Sequence, residues 1–298
     1  MRPRLAVTLG DPRGIGAEVV ARALDDERVR ERCDVLLVGP SGLDLAVHES
    51  VGEWRADGSA AEAGALSGRA IERAASLALA GNVQGIVTAP IDKSALLDGG
   101  FDFPGHTEML AHLTGAEVAM MLASDRLRVV LATTHIALRD VPRHLTRERI
   151  VEAARVTRAG LRRWYGLERP RIALCALNPH AGDGGRFGTE DDDVLAPAAR
   201  AAGIDGPFPA DTVFVRALRG AFDAVIAPYH DVGMTAIKVA SFGSAVNVTL
   251  GLPFPRTSPD HGTALDIAGK GIADASSMTA AILECARMAG VTGGERSV

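Results

Sequence analysis

Cysteine is scarce in this sequence, which contains only Cys33, Cys175 and Cys285. Their odd number and wide spacing support neither a disulfide framework nor a cysteine-based zinc site. Cys175 lies in an apolar run and Cys285 in a helical pattern, so we expect these residues to be buried free thiols.

Long apolar runs are also absent. No segment approaches the ~20 apolar residues of a membrane span. The N-terminal residues predict a strand and a glycine loop without the apolar core of a signal peptide: MRPRLAVTLGDPRGIG. We therefore expect a soluble, cytoplasmic protein that does not bind a membrane.

Basic charge is not concentrated anywhere in the chain. The 32 lysines and arginines are scattered among 37 acidic residues, and the net charge is -5. Without a basic block, nucleic acid is not expected as a partner. A local pocket can still be basic in an acidic protein, so a small anionic substrate is compatible with this composition.

Length and patterning indicate an α/β protein of two domains. The chain has 298 residues and is 47% hydrophobic, which suits about two domains. Short apolar runs alternate with amphipathic segments, a pattern typical of a sheet covered on both faces. No linker is visible, so the chain is expected to pass between the domains more than once. The predicted domains are residues 1–104 with 245–298, and residues 105–244.

Three histidines follow three apolar runs at the point where each predicted strand ends. LRVVLATTH ends at His135, RIALCALNPH at His180 and FDAVIAPYH at His230. Ligands of open α/β sheets bind outside the carboxyl ends of the strands, so these imidazoles would converge there as an open metal site. Taken singly, each histidine is better explained as a strand cap or a loop hydrogen bond. Asp231 is either a helix cap, the more common role, or a carboxylate that orients His230.

Two glycine-rich segments indicate tight turns or close approach to a ligand. The first, LGDPRGIGAEVV, is not a GxGxxG fingerprint and predicts a tight strand-to-helix turn whose helix N-terminus would favour an anion. The second, NPHAGDGGRFGTEDDD, predicts a loop that is mobile or closely approached by a ligand. Its acidic triplet, Asp191–Asp193, is interpreted as favourable charge at a helix N-terminus, and a carboxylate metal site is the less favoured alternative.

A third segment, FPGHTEML, predicts a loop-to-helix junction with Thr107 as the N-cap. His106 would then lie beside free backbone donors suited to a phosphate or carboxylate, although capping without a ligand explains the segment equally well. Lys238, Asn247 and Arg256 are predicted near chain turns, where Lys and Arg side chains are usually solvated.

Together these motifs resemble the 4-hydroxythreonine-4-phosphate dehydrogenase family of vitamin B6 biosynthesis. The resemblance runs in order over nearly the whole chain, at GDPRGIGAE, TAPIDK, FPGHTE, TTHIALRD, LNPHAGDGG, PADT, YHD and NVTLGLPFPRTSPDHGTALDIAGKG. It implies a two-domain fold like that of the isocitrate and isopropylmalate dehydrogenases, with α/β/α layers and an active site in the interdomain cleft. It also implies a homodimer whose active sites take residues from both subunits.

The resemblance further implies roles for individual residues. The second domain would form the dimer and hold one divalent metal (zinc, magnesium, cobalt or manganese) through His135, His180 and His230. The substrate-binding residues would be His106, Thr107, Lys238, Asn247 and Arg256. The first domain would bind NAD or NADP, because SPDHGTALDIAGKGIAD is similar to the adenosine-contacting loop of isopropylmalate dehydrogenases. The cofactor residues would be Asp260, His261, Gly262, Thr263 and Asp266.

The implied reaction is the oxidation and decarboxylation of 4-phosphohydroxy-L-threonine to 3-amino-2-oxopropyl phosphate in pyridoxal phosphate biosynthesis. Asp231, Lys238 and a metal-bound water are the candidate general bases. Because close relatives oxidise other acids, D-threonate or D-erythronate 4-phosphate is the alternative substrate. The chain departs from many members in a short segment after Val38 and in Val232, where glutamine is common. Both departures concern the substrate pocket or a subunit contact.

Two hypotheses of other classes compete with a dehydrogenase. A zinc hydrolase or lyase could use the same three histidines to activate water and would not need nicotinamide. A non-catalytic sensor or assembly protein could keep the fold without the chemistry. The intact set of candidate residues argues against that loss: His135, His180, His230, Lys238 and Arg256.

Overall fold

The computed structural model describes residues 2–241 and 244–293, which fall into two compact units. Unit 1 lies within Met1–Glu117 and Val246–Val298, and unit 2 lies within Val118–Ala245. His106 and Thr107 therefore belong to unit 1, whereas the boundary predicted after residue 104 assigned them to the second domain. The active-site cleft that the resemblance implies between the domains remains a prediction.

Strands and helices alternate along the described chain, which confirms the predicted α/β class. The strands are β1 (Arg4–Thr8), β2 (Asp34–Ser41), β3 (Glu49–Glu53), β4 (Gly85–Thr88), β5 (Ala119–Ala123), β6 (Arg128–Leu131), β7 (Ile172–Cys175), β8 (Asp205–Phe208), β9 (Ala224–Ala227), β10 (Val246–Leu250) and β11 (Arg256–Ser258). The helices are α1 (Gly16–Asp25), α2 (Glu27–Arg32), α3 (Ala60–Leu79), α4 (Lys93–Asp98), α5 (His106–Thr114), α6 (Val141–His144), α7 (Arg147–Tyr165), α8 (Ala196–Ala202), α9 (Ala210–Leu218), α10 (His230–Ser241) and α11 (Ser276–Gly293).

In unit 1 the strands follow the order β3-β2-β1-β4-β11-β10. β10 and β11 pair antiparallel, and the other neighbours in this order pair parallel. Every residue of β4 is buried, as expected for a strand covered on both faces. The long helix α3 begins at a capping box between Ser59 and Glu62 and packs against β1 and β2.

In unit 2 the strands follow the order β5-β6-β9-β7-β8. β5 and β6 pair antiparallel, and β6, β9, β7 and β8 pair parallel. Leu131 of β6 is in register with Ala227 of β9, and Leu174 of β7 is in register with Ile226 of β9. The carboxyl ends of these three strands therefore lie at one edge, where the sequence predicted the histidines.

The three cysteines are free and buried, as predicted. Among the described residues, no helix combines the length and the apolar character needed to cross a bilayer.

Candidate functional site

Two of the three predicted metal ligands lie side by side at the strand edge of unit 2. The Thr133 hydroxyl donates to the Pro228 carbonyl oxygen over 2.7 Å, which ties the chain leaving β6 to the chain leaving β9. The ring centroids of His135 and His230 are 5.4 Å apart. This spacing is compatible with two imidazoles that ligate one ion.

His230 is the first residue of α10 and is held by the residue that follows it. His230 Nδ1 lies 2.7 Å from a carboxylate oxygen of Asp231. When the ring carries its proton on Nδ1, the carboxylate accepts that N–H and leaves the Nε2 lone pair available to an electrophile. Of the two roles predicted for Asp231, this contact supports orientation of the ring.

His180 lies elsewhere on the loop that follows β7. It is exposed and belongs to a short 3-10 turn, Pro179–Gly182, in which His180 and Ala181 have φ values of 53° and 55°. Such left-handed conformations are uncommon outside glycine. In the described ranges 2–241 and 244–293, no group of three or more His, Cys, Asp or Glu side chains is placed to hold a metal. The structure thus brings together His135 and His230 and does not group His180 with them.

The acidic triplet after this loop has a role that the sequence did not predict. Asp191 is buried in a π-helical turn, Asp191–Leu195. Its two carboxylate oxygens accept the backbone N–H groups of Leu177 and Asn178 over 2.8 and 2.9 Å. The three aspartates lie in the first turn of a helical segment, as predicted, and the buried Asp191 has a further role. Its carboxylate fixes the start of the loop that carries His180.

Lys238 lies inside α10 and is exposed. It stands in the last turn of that helix, which ends at Ser241, so its predicted position near a chain turn is compatible with the structure.

A second group of candidate residues is centred on Arg256, which is only 2% exposed, in unit 1. Its Nη1 donates to the Thr249 hydroxyl over 2.9 Å, and its Nη2 donates to the Thr88 hydroxyl over 2.5 Å. Its Nε is buried without a hydrogen-bond partner. Burial lowers the pKa of the guanidinium to about 10, an effect that the nearby Glu108 carboxylate opposes.

Arg256 is therefore charged at neutral pH in a place where charge is costly. A buried cation whose hydrogen bonds go to hydroxyls is incompletely compensated, because each hydroxyl supplies only a dipole. The expectation that Arg256 is solvated at a turn is wrong. Its position is typical of a receptor for an anionic group.

His106 and Asn247 add two more unsatisfied polar atoms to unit 1. His106 Nε2 and Asn247 Oδ1 are both buried without a hydrogen-bond partner. Burial, with the charges of Arg256 and Lys93, lowers the pKa of His106 well below its ordinary value, so the ring is neutral. Asn247 and Thr249 are two residues apart on β10 and project to the same face, which is the face that contacts Arg256. Buried polar atoms are normally bonded, so these atoms are candidates for contact with a ligand.

The start of α5 differs from the prediction. The N-cap is Gly105, which provides no side-chain hydrogen bond, and Thr107 lies in the first turn of the helix. The prediction of Thr107 as the N-cap is therefore wrong. The first-turn N–H groups of α5 lack a side-chain cap, which leaves this helix start suited to an anion beside His106.

The predicted cofactor loop packs on the first glycine-rich turn of unit 1. The Ile15 N–H donates to the Thr263 carbonyl oxygen over 3.0 Å. A Cβ atom at Gly14 would lie 2.8 Å from the same oxygen, so only glycine fits there without a shift. The glycine turn thus serves close packing, and it uses a backbone N–H that the predicted anion site at α1 would have needed.

Within that loop, His261 carries the feature most indicative of a ligand. Its Nε2 is buried and unpartnered, and its Nδ1 lies 3.1 Å from the Gly262 carbonyl oxygen. A Cβ at Gly262 would have no atom within 4 Å, so open space adjoins the loop. Asp260 is half-buried and Asp266 is exposed.

Sequence reasoning missed the hydroxyls of Thr88 and Thr249 as partners of Arg256. Thr88 is the last residue of β4 and the first residue of the TAPIDK segment. The argument that selected the three histidines, a polar residue at a strand end, would also have selected Thr88.

The chain is similar to known proteins over nearly its whole length. The family described as "Pyridoxal phosphate biosynthetic protein PdxA" matches residues 18–285. A 4-hydroxythreonine-4-phosphate dehydrogenase of Geobacter metallireducens is 47% identical, over 98% of this chain and 97% of its own length. A protein of Bradyrhizobium diazoefficiens that carries the name D-threonate 4-phosphate dehydrogenase is 43% identical, over 96% of both chains.

Solved structures give the same result. A 4-hydroxythreonine-4-phosphate dehydrogenase of Klebsiella pneumoniae superposes with a TM-score of 0.86 at 40% identity, over 96% of this chain and 99% of its own. A beta-decarboxylating dehydrogenase of Thermococcus kodakarensis has a TM-score of 0.52 at 19% identity, over 95% of this chain and 82% of its own. That likeness concerns the fold alone, and it confirms the predicted isocitrate/isopropylmalate dehydrogenase-like fold.

Proposed function

The chain belongs to the PdxA family of pyridoxal phosphate biosynthetic proteins and is a dehydrogenase of that family, and from this premise we propose that it oxidises 4-phosphohydroxy-L-threonine. Oxidation of the secondary alcohol gives a β-keto acid, which loses carbon dioxide to give 3-amino-2-oxopropyl phosphate. The relatives are named as dehydrogenases, which argues against the hydrolase and sensor hypotheses.

The observation that carries this proposal is the buried Arg256. Its guanidinium is bonded to two threonine hydroxyls and keeps an unpartnered Nε, in the same unit as the unpartnered His106 Nε2 and Asn247 Oδ1. An anionic substrate would compensate this charge and accept or donate the missing hydrogen bonds. The same group, with Thr107, would fix the substrate's orientation before reaction.

We propose that the cofactor loop holds NAD or NADP through Asp260, His261, Gly262, Thr263 and Asp266. The unpartnered His261 Nε2 and the open space at Gly262 fit this role. When bound, the nicotinamide supplies the acceptor for the hydride.

We propose that His135, His180 and His230 hold one divalent metal, zinc, magnesium, cobalt or manganese. The adjacent rings of His135 and His230 and the bond from His230 to Asp231 fit two of the three positions. When bound, the ion supplies Lewis-acid polarisation of a substrate oxygen.

Two side chains on α10, Asp231 and Lys238, have the proposed roles in proton transfer, orientation of His230 and substrate binding. Oxidation of the alcohol releases a proton as well as a hydride, and Lys238 and Asp231 are the proposed residues that receive it. Asp231 also keeps the His230 ring in one orientation. Where Asp231 receives the proton, Lys238 stays protonated and provides a cation for the substrate; where Lys238 receives it, the amine is neutral before the step and becomes a cation only afterwards.

D-threonate 4-phosphate is a second candidate substrate, because a relative that is 43% identical carries that name. D-erythronate 4-phosphate shares the same phosphate and carboxylate and belongs in the same test. Each would be oxidised at the corresponding carbon, so the choice changes the pathway and leaves the mechanism as described.

We also propose a homodimer whose active sites draw on both subunits. Sedimentation equilibrium should give twice the chain mass of 31.0 kDa. A monomer that is fully active would contradict this part of the proposal.

The function is tested by following reduced nicotinamide with the purified protein, NAD+ or NADP+, a divalent metal and each of the three phosphorylated acids. We expect metal-dependent reduction with 4-phosphohydroxy-L-threonine. Reduction with a sugar-acid phosphate alone would replace the substrate, and no reduction with any of them would overturn the proposal.

A further inference from the structure

Lysine is unusually rare in this chain. Of the 32 basic residues, only those at positions 93, 238 and 270 are lysines, and all others are arginines. The two side chains differ, because lysine presents a compact ammonium and arginine a planar fork. Because arginine occupies nearly every other basic position, each lysine is a candidate for a role that needs a compact ammonium group. Lys238 already has a proposed role, which leaves Lys93 and Lys270.

Lys93 lies next to the anion-binding group of unit 1. Its Cε would be 3.8 Å from a Cβ placed on Gly105, the residue that directly precedes His106. The charge of Lys93 acts on the His106 ring together with that of Arg256. Two cations thus flank a buried ring nitrogen that has no hydrogen-bond partner.

The local structure gives no reason for a cation at position 93. Lys93 is the first residue of α4, directly after the N-cap Asp92, whose carboxylate accepts the Ala95 N–H over 2.9 Å. Positive charge at a helix N-terminus is unfavourable, because the helix dipole is positive there. Lys93 is also exposed, so it does not fill the core. A contribution to folding therefore does not explain this lysine.

We propose that Lys93 is a further substrate-binding residue, which binds the phosphate group together with Arg256 and His106 Nε2 at the uncapped start of α5. A phosphate monoester carries up to two negative charges, which two cations and a set of N–H donors can match. The identity of the phosphate ester rests on the proposed function.

The test uses calorimetric titration of the full-length protein, without nicotinamide, with inorganic phosphate and separately with 4-phosphohydroxy-L-threonine. Lys93→Gln should weaken the binding of both by roughly tenfold or more, the effect of losing one charge-assisted hydrogen bond. The control is Arg32→Gln, an exposed basic residue of the same unit, which should change binding by less than about twofold. The Tm of Lys93→Gln should equal or exceed that of the native protein, because an unfavourable charge leaves the helix start.

Several results would overturn the inference. Native phosphate binding by Lys93→Gln, equal weakening by Arg32→Gln, or no phosphate binding by the native protein would each do so. Weaker binding of the amino acid phosphate with unchanged phosphate binding would also overturn it, because Lys93 would then contact another group. A lowered Tm that accompanies the loss would indicate a structural role.

The titration separates this inference from the proposed function. Lys93-dependent phosphate binding in a protein that reduces no nicotinamide would keep the inference and reject the substrate. Oxidation of 4-phosphohydroxy-L-threonine with an unchanged KM in Lys93→Gln would reject the inference alone.

Discussion

The two groups of candidate residues in this protein differ in how completely they are formed. In unit 1, Arg256 is 2% exposed and its guanidinium is held by the Thr88 and Thr249 hydroxyls. In unit 2, His135 and His180 are exposed, and the latter is not grouped with the other histidines. The proposed anion-binding group is therefore held in place by contacts within the protein, whereas the described residues do not bring the three proposed metal ligands together.

The difference follows from where each side chain is attached. Arg256 and Asn247 are on the paired strands β11 and β10. The pairing fixes the backbone of both strands and thereby the face of the sheet to which each side chain projects. His180 is on a loop with left-handed backbone conformations, fixed at its start by the Asp191 carboxylate. A guanidinium buried in a core must be placed by packing. A metal ligand can be placed by the metal, because ligation itself supplies the ordering free energy.

The largest effect is expected from removing one of the three histidine side chains. His230→Ala should lower kcat by roughly a thousandfold or more, because under the proposed function it removes a ligand of the ion that would polarise the substrate. His180→Ala should lower kcat as strongly, although the structure does not group it with the other two. The measurement is kcat with metal content determined on the same samples. His144→Ala, an exposed histidine of the same unit, is the control. Native turnover in His180→Ala would remove that residue from the ligand set.

A smaller effect is expected from the buried cation. Arg256→Met should raise KM for the phosphorylated substrate by about thirtyfold, corresponding to about 2 kcal/mol of lost charge-assisted bonding. Because the change also removes an incompletely compensated buried charge, the free energy of unfolding should stay the same or rise. Steady-state kinetics and denaturant unfolding check the two parts. An unchanged KM would show that Arg256 does not bind the substrate. The comparison between the Arg256 group and the histidine group would then no longer hold.

Orientation of the metal ligand should matter less than its presence. Asp231→Asn should weaken metal binding by about tenfold, since the amide no longer holds the His230 ring as the carboxylate does. Titration of the metal-free protein with zinc measures the change. Asp125→Asn, an exposed aspartate of the same unit, should bind zinc with native affinity. If both variants behave alike, the contact between Asp231 and His230 has no role in metal binding.

The smallest effect is expected at the contact between the glycine turn and the cofactor loop. Gly14→Ala should cost about 1 kcal/mol of stability and raise KM for the nicotinamide cofactor several-fold, because its Cβ would meet the Thr263 carbonyl oxygen at 2.8 Å. Gly290→Ala, where a Cβ meets no atom within 4 Å, should be neutral or slightly stabilising. Equal cofactor KM values for the two variants would separate residues 260–266 from cofactor binding.

Much of the fold was predictable because its strands are covered on both faces. The apolar runs at Gly85–Thr88 and Ala224–Ala227 coincide with β4 and β9. The polar strand β3, whose residues are half-buried or exposed, has no such run and was not predicted. Likewise β8, Asp205–Phe208, contains glycine and proline and has no fully buried residue. Continuous burial leaves a pattern in the sequence, whereas a partly exposed edge strand does not.

By itself, the sequence determined the α/β class, the buried free cysteines, the motifs of the family and the position of three histidines at strand ends. These features depend on local patterns of residue type, which can be recognised in the sequence itself. Only the tertiary structure decided that Arg256 is buried between Thr88 and Thr249, that Asp191 holds the loop of His180, and that Thr263 requires glycine at position 14. Each of these contacts joins different segments of the chain and forms only when whole elements pack together, so the pattern of one segment does not predict it.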